Sequence, residues 1–162
     1  KLKLKNLNFS CGHIEDHKEE QNVDLIITLH ACDTATDYAL RYAVEKNTKA
    51  ILSVPCCQHQ INTELSSNKD LIKQTELEPL LKWGLIREKF SSLFTDSLRG
   101  QWLEDQGYKV QMLEFIDEEH TPKNILIRAV KKSGLEKDEA SSGKNKKPEI
   151  ISSLNINPEI YK

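Results

Sequence analysis

Apolar and polar positions along the chain fall into short blocks of two different periods. Residues 2–9 alternate, with Leu2, Leu4, Leu7 and Phe9 apolar, which predicts a strand that ends in a glycine turn at Gly12 and an acidic loop. Residues 23–29 and 50–54 are continuous apolar runs of buried-strand length. Between them Ala35, Ala39, Leu40, Ala43 and Val44 recur at helical spacing, giving one apolar stripe, with Asp33 or Thr34 available to cap the first turn. Strand, helix and strand in so short a span predict a right-handed crossover between parallel strands.

Beyond Pro55 the pattern is helical and charged over residues 61–93, with Pro79 and Gly84 as interruptions, and reads as a lid or substrate wall. Thr95 or Asp96 is expected to cap a further helix through Leu98, Trp102 and Leu103 to Gly107. Residues 109–116 and 124–130 predict an antiparallel hairpin at the end of the sheet. The expected fold class is α/β, and residues 1–132 are expected to make up the folded domain. Residues 133–162, rich in Ser, Gly, Lys and Glu, read as linker or poorly ordered tail, with residues 150–161 as a segment that can dock.

Composition narrows the class without naming a partner. A net charge of -2 with 30% charged residues carries no overall basic signature of nucleic-acid binding. No apolar run approaches the ~18 residues that a membrane span requires, and the first residues alternate Lys with Leu, unlike a signal peptide. A cytoplasmic protein with no membrane partner is expected. Cys11, Cys32, Cys56 and Cys57 are read as reduced thiols, because adjacent cysteines make a poor disulfide framework.

The chemistry gathers where two apolar runs stop. The first passes abruptly into His30, Cys32, Asp33, Thr36 and Asp37, the second into Cys56, Cys57 and His59. Open α/β sheets place ligands at the carboxyl edge of their strands, so the active site is expected there. His30 suits a general base, since imidazole as a group changes charge near neutral pH, although such a ring can also serve only to bond a loop carbonyl. Asp37 and Asp33 can orient that histidine, bind substrate or cap a helix. His59 is a second candidate for substrate contact. Cys56, Cys57 and His59, with Cys32 or His30, invite a metal. Zinc ligands are usually spaced more widely, however, and adjacent strand residues face opposite ways. No metal site is therefore expected, with one thiol facing the pocket and one packed in the core.

The stretches Leu29-His30-Ala31-Cys32, Ala35-Thr36-Asp37 and Cys56-Cys57-Gln58-His59, followed by the terminal hairpin, resemble the second half of a class I S-adenosylmethionine-dependent methyltransferase. The group they resemble includes the acceptor-stem tRNA 2′-O-methyltransferase and bacterial relatives of unassigned substrate. Thr95-Asp96, Arg99, Glu114-Phe115-Ile116-Asp117 and Thr121-Pro122-Lys123-Asn124 resemble the bacterial members, so the likeness covers residues 7–132.

The resemblance implies a Rossmann-like, mostly parallel sheet with a carboxyl-terminal antiparallel hairpin, and S-adenosylmethionine as cofactor. It implies catalytic roles for His30, Asp37, Cys57 and His59, with His13, Ile14, Leu29 and His30 flanking the cofactor. Asp33, Arg99, Lys123 and Asn124 would touch substrate, and RNA, either tRNA or rRNA, is the implied partner. The tRNA enzymes have glycine where this chain has Asp33, so their substrate does not transfer directly. Nor does the glycine-rich turn that holds the methionine end of the cofactor occur among the six glycines. The chain is therefore expected to be a carboxyl-terminal portion of a longer enzyme, with its first strands missing, weak in cofactor binding and inactive alone. The competing readings are a non-catalytic α/β module that binds RNA or protein, and a cysteine-based metal or redox protein.

Overall fold

A computed structural model describes residues 7–17, 22–114, 116, 125–133 and 147–162. After a 3-10 turn at Ile14–Asp16 the elements are β1 (Leu25–Thr28), α1 (Thr34–Glu45), β2 (Ala50–Ser53), α2 (Gln60–Ser67), α3 (Lys69–Ile72), α4 (Glu78–Leu81), α5 (Gly84–Asp105), β3 (Tyr108–Glu114), β4 (Ile125–Lys131) and α6 (Glu149–Ser153). A second 3-10 turn, Glu159–Tyr161, follows. Of the strand expected over residues 2–9, residues 7–9 are irregular and exposed, and residues 2–6 lie outside the described residues.

The four strands form one sheet in the order β1-β2-β4-β3. β1 and β2 are parallel, as the crossover pattern predicts, with Ile26 opposite Ile51 and Thr28 opposite Ser53. β4 is antiparallel to both β2 and β3. Among the described residues the sheet is mixed, with one parallel pair and the antiparallel hairpin, whose second strand is inserted beside β2. The hairpin itself lies at the sheet's end as expected.

One face of this sheet is covered. Ile51, Ile127, Ala129 and Tyr108 on the covered side are fully buried, while Leu25, Ile27 and Val130, which point the other way, are exposed. α1 packs on β1 and β2, α5 on β3 and β4, and an ion pair between Asp37 and Arg99 joins the two helices. β1 was expected to be buried on both faces; among the described residues it is an edge strand whose outer row is open. Gly100 brings α5 close to β3, because any Cβ there would collide with the side chain of Met112.

α5 runs unbroken from Gly84 to Asp105, so the cap expected at Thr95 or Asp96 is also corrected. Thr95 instead returns its hydroxyl to the Ser91 carbonyl at 2.7 Å, which satisfies it within the helix. In the final stretch, Ile151, Leu154, Ile156, Ile160 and Tyr161 join the main core, so a docked tail describes residues 147–162. The docking is polar as well: Gln60 donates to the Asn157 carbonyl at 2.8 Å and accepts from the Glu159 amide at 2.9 Å. Among the described residues no helix is long and apolar enough to cross a membrane.

Candidate active site at the strand ends

The carboxyl ends of β1 and β2 are joined before any reactive side chain is considered. Thr28 donates its hydroxyl to that of Ser53 at 2.7 Å, and the Val54 amide donates to the Thr28 carbonyl at 2.7 Å. One turn further on, the Asp33 amide donates to the Cys57 carbonyl at 3.0 Å. The two loops thus leave the sheet side by side.

Asp33 takes a backbone conformation that a side chain rarely adopts, φ 49° and ψ -122°. It makes no side-chain cap to α1, the helix it precedes. Its Oδ1 instead accepts the amides of His59 and Gln60, at 3.0 and 3.2 Å, and so caps α2. This corrects the expected local cap: the free amides of α2 lie nearer the carboxylate than those of its own helix. Its two capping bonds give Asp33 a structural place in the site.

Below this loop lies a buried polar network. Arg99 donates through Nε and Nη2 to both oxygens of Asp37, at 2.8 and 2.9 Å, and through Nη1 to Asp96 at 2.9 Å. Nη2 also donates to the Asp33 carbonyl at 2.7 Å. Asp96 in turn accepts from Gln58 at 2.8 Å, and Gln58 accepts from Ser92 at 2.7 Å. Arg99 is fully buried and Asp37 nearly so. Burial alone would push the Arg99 guanidinium down, but bonds and charge from Asp37 and Asp96 hold it above its ordinary value. Burial pushes the Asp96 carboxyl up, opposed by the Arg99 charge and the hydrogen bond from Gln58.

This placement differs from the expectation for two residues. Arg99 lies fully buried and donates to Asp37, Asp96 and the Asp33 carbonyl instead of standing at the exposed strand ends. Asp37 does not reach the reactive edge, since its carboxylate is held bidentately beneath it. Gln58, Ser92 and Asp96 were not foreseen as their partners.

The exposed layer above holds His30, His59, Cys32 and the half-buried Cys56 and Cys57. The Cys32 and Cys56 sulfurs are 3.0 Å apart and those of Cys56 and Cys57 are 3.8 Å apart. Cys56 and Cys57 were expected to diverge, one toward the pocket and one into the core. They do not, because β2 ends at Ser53 and the segment after Pro55 is irregular, which removes the alternation of a strand. Hydrogen bonds from Cys56 and Cys57 hold the Cys32 thiol below the usual range, whereas burial, followed by the bonds to Cys32 and Cys57, pushes the Cys56 thiol up to about 12. His30, Cys32 and Cys56 each offer a ligand atom within 4.8 Å of the other two, although no metal site was expected.

His13 and Ile14 are exposed at the 3-10 turn, and Leu29 is exposed just beyond β1. The turn leans on α1, where His17 meets Tyr42 with ring centroids 5.7 Å apart. Lys123 and Asn124 lie outside the described residues.

Residues 1–64 match the model of a family described as a methyltransferase domain, which supports a methyltransferase-type function. The matched stretch contains both strand ends and α1. No curated protein and no solved structure matches the chain.

Proposed function

We propose that the chain forms the acceptor side of an S-adenosylmethionine-dependent methyltransferase that acts on RNA. The observation that carries this reading is the family match across residues 1–64, which spans the two strand ends where His30 and His59 are exposed. Two further features support it: parallel β1 and β2 joined through α1, and an antiparallel hairpin closing the sheet. RNA is preferred because the motifs at residues 29–37 and 56–59 resemble tRNA-modifying enzymes.

Exposed His13 and Ile14, on the turn that packs against α1, and exposed Leu29, just beyond β1, offer apolar and backbone surface suited to an adenine ring. When bound, the cofactor supplies an electrophilic methyl group on a sulfonium. Catalysis then depends on holding the acceptor in line and removing its proton. His30 is the base for a hydroxyl acceptor, and His59 orients that acceptor from the facing loop. Cys57 contributes through its carbonyl, which fixes the Asp33 turn. Asp37 and Arg99 are positioning residues, since Arg99, held by both oxygens of Asp37, donates to the Asp33 carbonyl and so sets the loop that carries His30.

The test is methyl transfer from labelled cofactor by the full-length protein to total RNA and total protein fractions. Label is expected in RNA, and His30→Ala is expected to reduce it by about 100-fold, the scale of a general base. Label confined to protein would refute the RNA assignment, and label in neither fraction would refute methyl transfer.

A further inference from the structure

The two closest sulfurs in the site come from different strand ends. Cys32 follows β1 and Cys56 follows β2, yet their Sγ atoms are 3.0 Å apart, and a ring nitrogen of His30 lies within 4.8 Å of both. We propose that His30, Cys32 and Cys56 form a three-ligand site for a zinc-class cation, with its fourth position open to solvent. The site goes beyond methyl transfer, which does not call for a metal.

Three observations carry it. The first is the donor set: two thiolates and an imidazole suit zinc and similar soft or borderline ions, and disfavour magnesium and calcium, which take oxygen ligands. The second is the scaffold. The Asp33 amide bonds the Cys57 carbonyl, the Asp33 carboxylate bonds the His59 and Gln60 amides, and the Val54 amide bonds the Thr28 carbonyl. None of these bonds uses a ligand atom, so the two loops are held together without drawing on the ligands. The third is access, since His30 and Cys32 are exposed and only Cys56 is partly covered.

The dimensions are compatible. Two zinc–sulfur bonds of about 2.3 Å at a tetrahedral angle separate the sulfurs by about 3.8 Å. Cys32 must therefore swing outward by under about 1 Å from its present 3.0 Å contact, and its exposed side chain has room to do so. The sequence objection to zinc concerned adjacent cysteines, and it does not apply to this pair, which lies 24 residues apart. His30 is shared with the proposed methyl transfer: a nitrogen bound to metal accepts no proton, so the base belongs to the metal-free form.

Cobalt titration of the reduced chain tests the site with no methyl donor or acceptor present, so its outcome is independent of the methyl-transfer reading. Thiolate-to-cobalt charge-transfer absorption is expected to saturate at a single equivalent and to be displaced by zinc. Cys32→Ser, Cys56→Ser and His30→Ala should each weaken binding by more than about 100-fold, beyond the loss from removing an outer-shell partner. Cys11→Ser should leave it unchanged, and far-ultraviolet circular dichroism confirms that each variant is folded. A folded wild-type chain without the band, a band that survives Cys32→Ser with Cys56→Ser, or full affinity in His30→Ala would overturn the proposal.

Discussion

Two layers meet at the strand ends, and they treat the same kinds of residue in opposite ways. The upper layer, with His30, Cys32 and His59, is exposed; the lower, with Asp37, Arg99, Asp96 and Gln58, is sealed and paired. Motif residues only a few positions apart therefore have different work. His30 can meet a ligand. Asp37 cannot, because its two carboxylate oxygens already hold one guanidinium. The contrast shows that proximity in a motif does not place a residue at the reaction, and that burial and partner decide it.

The sharpest way to break this contrast is at Arg99. Arg99→Met leaves the Asp37 and Asp96 carboxyls buried without their cation, and is expected to lower stability by about 3–5 kcal/mol in urea unfolding. A loss below about 1 kcal/mol would mean that the lower layer does not hold the fold. Asp33→Ala comes next. It removes the acceptor for two α2 amides and should cost about 1 kcal/mol in the same measurement.

A smaller effect is expected at the tail. Burial pushes the Glu159 carboxyl up, but the bonds and charges of Lys162 and Arg41 outweigh it and hold the group below the ordinary carboxylate range. The folded-state value is therefore depressed. Its contribution is full above the ordinary range and is lost as pH falls through the depressed value. Glu159→Gln should remove this part of the acid sensitivity, up to about 1 kcal/mol, read as a shallower pH dependence of the unfolding midpoint. Smallest of all, His30→Ala and His59→Ala should change stability by under about 0.5 kcal/mol, because both rings are exposed. A large loss from either would erase the distinction between the layers.

Much of the fold was legible because it is written in local periods. The runs ending at Leu29 and Val54, the stripe Ala39, Leu40 and Ala43, and the final hairpin each occupy one contiguous stretch. The errors came from contacts that cross the sequence. Asp37 and Arg99 are 62 positions apart, and Asp33 caps a helix that begins at Gln60 instead of its own. Thr95 and Asp96 looked like a helix start because their short oxygen side chains suit caps. In the fold, one turns back on its own helix and the other serves the network. The openness of one sheet face could not be read from β1, since an apolar run looks alike whether or not it finds a cover.

The turn at Asp33 sets backbone ease against a bond between loops. At φ 49° and ψ -122° glycine is the most comfortable residue, and an aspartate held there carries backbone strain of about 1–3 kcal/mol. A chain with glycine at this point keeps the bend without strain but gives up the oxygen that closes α2. Aspartate accepts the strained bend and locks the second loop to the first. Exchange of one residue thus trades backbone ease for a clasp between two loops, and sets how firmly the mouth of the site is held.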